Sequence, residues 1–204
     1  MFKKIIISTN FLRETLKMLK FWATLLVATF ITHNCFAATA LEVSITEIKA
    51  DVLFIRHALA PGIGDPKNFL LSDCDTQRNL NEEGRKHSKE IGKYILSTNL
   101  KIDKIYASEW CRCYETALHM NLGNVKLFSG LNSFFQNHSD KGKTLQLLHK
   151  YLEEKPSNEL IIMVTHQVVI SAVTNLYTKS GQLVAYNSKT GESQKIPMSS
   201  FPLK

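Results

Sequence analysis

Short, wholly apolar runs alternate along this chain with longer segments whose apolar positions recur every three or four residues. Val52-Leu53-Phe54-Ile55, inside the stretch Asp51 to Ala58, reads as a short buried strand. Asp103 to Ser108 alternates and predicts a second strand, Val125 to Phe128 a third, and Leu160 to His166, the most apolar run of residues 45–204, a fourth. Between them lie helical periods. Leu80, Gly84, His87, Ile91, Tyr94 and Ile95 share one face of a helix that Asn81 caps, that carries Glu82 and Glu83 in its first turn, and that runs to about Ser97. Glu109 to Ala117 reads as a second helix with Ser108 placed to cap it, Thr144 to Leu152 as a third, stopped by Lys155-Pro156, and Gln167 to Leu176 as a fourth. Leu183 to Tyr186 and Ser193 to Ile196 flank Lys189-Thr190-Gly191 as a hairpin. Leu59 to Pro66, with two glycines and two prolines, and Leu131 to Asp140 read as loops. Strand and helix in alternation predict an α/β fold: one domain, a three-layer sandwich with a mostly parallel central sheet flanked by helices and a C-terminal hairpin.

The N-terminus follows another pattern. Phe21 to Ile31 is an apolar run preceded by Lys17 and Lys20 and followed by small residues, which reads as a secretory signal within residues 1–37, cleaved after Ala37 or Ala40. The run falls short of the roughly 20 apolar residues that a membrane span needs, so the expectation is no stable span after cleavage. Met18-Leu19-Lys20 would by itself start a compact signal, and Thr32-His33-Asn34 does not suit lipidation of Cys35. The domain is expected over 45–204, exported to a periplasmic or secreted location. Residues 1–37 carry Lys3, Lys4, Arg13, Lys17 and Lys20 against Glu14, so their removal takes the formal charge from +7 to +3. A modest charge with no Lys/Arg block argues against nucleic acid and suits a small anionic substrate.

Three cysteines then remain. Cys111 and Cys113 are too close in sequence to pair easily with one another, so an oxidising compartment suggests a disulfide from Cys74 to Cys111 or Cys113; three thiols are the alternative. No second Cys/His pair at convincing spacing accompanies Cys111-x-Cys113, so no metal site is expected.

Three predicted strands end in polar clusters: Arg56-His57, Ser108 with Arg112 just beyond, and Thr165-His166. If these strands are parallel neighbours, two histidines and two arginines gather at one sheet edge beside a helix N-terminus, a set suited to a phosphoryl group. Arg112 could supply a planar two-pronged contact to phosphate oxygens. Arg78 and Gln167 would extend substrate binding.

At these residues the sequence resembles the histidine phosphatase superfamily of phosphoglycerate mutases and acid phosphatases. Arg56-His57-Ala58 is similar to its Arg-His-Gly signature, and Leu80-Asn81-x-x-Gly84-x-x-His87 to its Leu-Thr-x-x-Gly-x-x-Gln segment. Ser108-x-x-x-Arg112-x-x-x-Thr116-Ala117 resembles the second arginine motif and Val164-Thr165-His166 the second histidine motif. The resemblance, from about Ala50 to Leu176, implies a metal-independent and cofactor-free phosphatase that cleaves a phosphomonoester through a phosphohistidine. It implies that His57 is the nucleophile and that Arg56, Arg112 and His166 bind the phosphoryl oxygens. The unreacting nitrogen of His57 is then expected to donate to a backbone carbonyl.

Ala58 stands where the signature has glycine, Gln167 where acid phosphatases have aspartate, and Leu131 to Phe135 where mutases place a glutamate. The proton donor to the leaving group therefore stays open among Glu109, Asp65 and Asp140. A substrate with a good leaving group, such as an N-phosphoryl compound or acyl phosphate, would need little help. The expected substrate is a small phosphorylated molecule or a phosphorylated envelope glycan. A noncatalytic phosphate-binding module, a phosphomutase and a thiol-based protein are the other readings. Oligomeric state has no signal in the sequence.

Overall fold

The computed structural model describes residues 38–197 together with Arg13, Lys17 and Met18. The apolar run Phe21 to Ile31, Cys35 and the last residues of the chain lie outside the described residues.

Six strands form one sheet: β1 (Val52–Arg56), β2 (Lys104–Ala107), β3 (Val125–Leu127), β4 (Ile161–Thr165), β5 (Leu183–Tyr186) and β6 (Ser193–Lys195), in the order β3-β2-β4-β1-β5-β6. The first four run parallel, and β5 and β6 are antiparallel, closing the sheet as the expected hairpin. β1 and β4 are fully central, which is why both read as unbroken apolar runs rather than alternating ones.

Among the described residues five α-helices cover the sheet: α1 (Ala40–Glu47), α2 (Glu82–Leu96), α3 (Cys111–Met120), α4 (Lys141–Glu154) and α5 (Gln167–Thr174). One face of the sheet, with Leu53, Ile55, Ile162 and Val164, packs on α1, α2 and α3 through Leu41, Ile91, Trp110 and Met120. The other face, with Val52, Phe54, Ile161 and Met163, packs on α4 and α5 through Leu148, Leu152, Val169 and Ile170. Helices α2 and α3 approach so closely that a Cβ on Gly92 would lie 2.0 Å from the Met120 carbonyl oxygen. Gly84, at the start of α2, is equally tight against the carbonyl of Leu59 in the loop after β1.

Three expectations change. The domain begins before residue 45, because Thr39 caps α1 with a reciprocal Glu42 capping box and Leu41 and Ile45 are core residues. Helix α3 starts at Cys111 rather than Glu109, and Ser108 does not cap it. Its N-cap is Trp110, which makes no side-chain cap, while the Ser108 oxygen accepts from the Trp110 N–H at 3.3 Å, one residue before the helix, and its hydroxyl donates to Asn132. Helix α4 starts earlier than expected, because the Asp140 carboxylate accepts from the Lys143 N–H.

Cys74 bridges to Cys111, and Cys113 stays a buried thiol. The bond ties the first residue of α3 to the short turn Cys74–Thr76, where the Gln77 side chain also accepts from the Cys111 N–H at 3.0 Å. Closing a loop across a sequence separation of 37 residues removes unfolded-state entropy worth about 4 kcal/mol in the chain-entropy model. Reductant is therefore expected to lower the unfolding free energy by about that amount, read as a lower denaturant midpoint at unchanged slope, and an unchanged midpoint would refute it.

Candidate active site

Adjacent parallel strands place their ends level. Arg56 stands opposite Thr165 in the β1–β4 register, and Ala107 opposite Val164 in β2–β4. The His57 N–H continues the ladder to the Thr165 carbonyl, and the Ser108 N–H to the Val164 carbonyl, each at 2.9 Å. His57, Ser108 and His166 thus leave the sheet side by side at the carboxyl ends of their strands, where open α/β sheets hold ligands. At the opposite end of β1, Asp51 is occupied structurally, paired with buried Lys155 at 2.6 Å.

A cleft of about 260 Å³ opens over these ends. Its walls include Arg56, His57, Arg78, Arg112, His166 and Gln167, so the residues expected to act as nucleophile, phosphoryl ligands and substrate contacts come together. No aspartate or glutamate lines it among the described residues. Helix α5 starts here, with Gln167 and Val168 in its first turn.

His57 is buried, with Nδ1 2.8 Å from the carbonyl oxygen of Ala58. A neutral ring makes that contact only by donating, so the proton sits on Nδ1 and Nε2 keeps its lone pair. Burial pushes the His57 pKa well below the ordinary 6.5, and the charges of Arg112, Arg56 and Arg78 act in the same direction.

The second histidine is held differently. The Ser108 hydroxyl donates to Asn132 Oδ1 at 3.0 Å, which leaves its oxygen to accept from His166 Nε2 at 3.0 Å. Asn132 Oδ1 also accepts from the Glu109 N–H, and its Nδ2 donates to the Glu109 carboxylate. The amide thereby fixes the direction of the whole chain. His166 Nδ1 is left as an acceptor, 3.4 Å from Arg112 Nη2. Its pKa is also well below 6.5, first from burial and then from Arg112, His57, Arg78 and Arg56.

The guanidinium of Arg112 is 3% exposed, and its fork does not stand free for phosphate as the sequence suggested. It grips Asp65, Nη1 to Oδ1 at 2.7 Å and Nη2 to Oδ2 at 3.2 Å. Asp65 also accepts from the Arg78 backbone N–H at 3.0 Å and Trp110 Nε1 at 3.1 Å. Burial alone would raise its pKa, but the hydrogen bond and charge of Arg112, with those two N–H donors, outweigh it and hold the carboxyl below its ordinary value. Asp65 is therefore an ionised anchor for Arg112 and not a proton donor. Arg56 Nη1 donates to the Thr178 carbonyl at 2.6 Å, and Arg78 donates to the Ala60 and Gly64 carbonyls, pinning the loop after β1. The Nε–H groups of Arg56 and Arg112 are buried with no protein acceptor.

The other two proton-donor candidates also have structural work. Asp140 is exposed, caps α4 and is not among the residues that line the cleft. Glu109 holds Asn132. Trp110 is core, stacked on Phe69 with ring centroids 5.1 Å apart. His87 lies against Gly181 outside the cleft. Among the described residues no three His, Cys, Asp or Glu side chains gather to hold a metal ion, and no helix is long and apolar enough to cross a membrane. Cys113, beside His166 at 3.4 Å, is pushed up to about 12 by burial and stays a thiol.

Sequence reasoning missed Asn132, Ser133, Phe135, Tyr177 and Thr178, which lie in loops without periodicity. It read Ser108 as a helix cap and missed its contact with His166.

Because both histidines are held neutral, kcat/KM is expected to stay flat on acidification through the usual histidine range, with its acid limb below pH 6.5. Protonation of either ring opposes folding as well, so stability falls as pH drops below 6.5 toward the folded-state values. A pH–rate profile with its acid limb at or above 6.5 would contradict the assignment.

No protein-family model matches the sequence, and a search of curated proteins found no match. Solved structures do match in fold. A putative alpha-ribazole-5'-P phosphatase from Escherichia coli aligns over 71% of this chain and 93% of its own, with 14% identity and a TM-score of 0.53. A phosphoserine phosphatase from Entamoeba histolytica, a mutant in complex with phosphoserine, aligns over 72% and 94%, with 14% identity and a TM-score of 0.51. A mycobacterial glucosyl-3-phosphoglycerate phosphatase aligns over 71% and 95%, with 13% identity and a TM-score of 0.50. The chain has the fold of the histidine phosphatase superfamily.

Proposed function

We propose that this protein is a metal-independent phosphatase that hydrolyses a small phosphomonoester through a phosphohistidine at His57. The observation that carries the reading is the tautomer of His57: Nδ1 is spent on the Ala58 carbonyl, so the Nε2 lone pair is available to phosphorus in a cleft ringed by three arginines. In the first step Nε2 bonds to phosphorus as the ester P–O bond breaks, its electron pair leaving with the alcohol oxygen, which takes a proton from water. Water then attacks phosphorus, the P–N bond breaks, and phosphate departs. Arg56 and Arg112, each with an unpartnered Nε–H, bind the equatorial oxygens, and Arg78 adds charge. The neutral His166 keeps a lone pair on Nδ1, which accepts from the protonated oxygen of a phosphomonoester monoanion.

The test is phosphate release by the purified protein from a panel of phosphorylated metabolites and envelope sugars, with and without chelator, combined with trapping of an acid-labile, base-stable phosphoprotein. Chelator-sensitive activity, or turnover without the phosphoprotein, would overturn the reading. Phosphate binding without release would instead support the noncatalytic module, a reading favoured by one observation, that no carboxylate among the described residues lines the cleft.

The apolar run before Ala37 and the Cys74–Cys111 bond support export to an oxidising compartment. Cleavage after Ala37 leaves the Thr39 cap of α1 intact, whereas cleavage after Ala40 removes it. N-terminal sequencing of the exported chain is expected to begin at Ala38; a start at Leu41 would refute this.

A further inference from the structure

The mouth of the cleft departs from the charge of its floor. Ile63 is 92% exposed, Tyr177 66% and Phe135 46%, and all three line the same cleft from different loops. Large apolar side chains at such exposure are normally scattered; here they converge on the rim of an anion pocket.

Each is held there by local structure. Ile63 sits between Gly62 at φ 91° and Gly64 at φ 72°, the left-handed conformation that glycine adopts without cost. Phe135 precedes Gln136 and Asn137, two consecutive non-glycine residues at φ 59° and 60°, a costly conformation that persists only where the surroundings enforce it. Gln136 supplies part of that enforcement by accepting from the Asp65 N–H at 3.0 Å, which ties the Phe135 turn to the loop carrying Ile63. Tyr177 adjoins the phosphoryl pocket through its interaction with Arg56.

Resting on the phosphatase reading above, we propose that the substrate is a small aryl phosphate. Its phosphoryl group is bound by the arginines, and its aromatic leaving group lies between Phe135 and Tyr177. Two independent features meet in this class. The rim offers flat apolar contact, and among the described residues no carboxylic acid lines the cleft to protonate a departing alkoxide. A phenol needs none. When His57 Nε2 bonds to phosphorus, the P–O electron pair leaves as a phenolate, stabilised in its own ring, and the phenolate takes a proton from water. Water then cleaves the P–N bond and releases phosphate.

Non-hydrolysable phosphonates separate this inference from the catalytic one, because their affinity is measured by calorimetry whether or not the protein turns over. Benzylphosphonate is expected to bind about tenfold tighter than butylphosphonate, from one or two aromatic contacts. That ratio should fall to about two in the Phe135→Ala/Tyr177→Ala double variant and be retained in Tyr177→Phe. In the second arm, kcat/KM for substituted phenyl phosphates should fall steeply with rising phenol pKa. Equal affinity for the two phosphonates, a ratio that survives the double variant, or a flat leaving-group dependence would each overturn the aryl assignment and leave the phosphatase reading standing. Aryl-selective binding with no hydrolysis of any phenyl phosphate would overturn the phosphatase reading, and with it aryl phosphate as a substrate. Absence of binding by every phosphonate and by inorganic phosphate removes both.

Discussion

His57→Ala is expected to lower phosphate release by at least about 10⁴-fold, the scale of losing the atom that forms the intermediate. The phosphoprotein should disappear with it. The loss separates chemistry from folding because the His57 side chain makes one strong local contact, to the carbonyl of its own neighbour, while the strand ladder uses its backbone. Losing one such hydrogen bond costs about 1 kcal/mol, so the melting temperature should stay within about 5 °C of wild type. His166→Ala should retain the phosphoprotein and lose rate, since that ring binds oxygens and does not form the bond. Normal turnover by purified His57→Ala would overturn the assignment of the nucleophile.

Asp65→Ala is expected to have the largest effect on stability of any single change at the site, about 3–5 kcal/mol. The carboxylate is 4% exposed and takes four donors: two from Arg112, one from the Arg78 backbone and one from Trp110. Removing it leaves the Arg112 guanidinium buried with no carboxylate against it and releases the loop that carries Gly64 and Ile63. Activity should fall as well, because Arg112 loses the contact that aims its Nε–H. Denaturant unfolding at pH 7 measures the first effect and kcat/KM the second. The pH dependence checks the cause. The Asp65 pKa is lower folded than unfolded, so its contribution is complete above the ordinary value of 3.8 and is lost as pH falls through the folded-state value. The gap in stability between wild type and Asp65→Ala should therefore narrow below pH 3.8; a gap that persists unchanged there would mean the ion pair is not its source.

Asp65 also shows where linear reading stops. In sequence it is a turn residue before Pro66, and nothing in Gly64-Asp65-Pro66 distinguishes an ionised anchor from an acid or a surface turn. Its role exists only because the loop folds back onto α3, 47 residues away. Asn132 is a similar case: it sits in an aperiodic loop, yet its amide sets the proton position on His166 through Ser108. Arg112 was legible as a site residue, but the occupation of its fork was not.

The central strands and most helices followed from periodicity, because burial on both faces forces unbroken apolar runs and burial on one face forces a three-to-four-residue step. Arg56, His57, Arg112 and His166 stood out because each follows such a run or opens the next helix, so chain order alone put them at strand ends. Local periodicity, the Asn81 cap and the four motif residues are thus written along the chain. Three-dimensional packing adds that β2, β4 and β1 are neighbours, that Cys74 pairs with Cys111, and that Asp65 neutralises Arg112 while no acid among the described residues lines the cleft. Periodicity records which side of an element is buried; it carries no information about which distant loop side chain meets which buried charge.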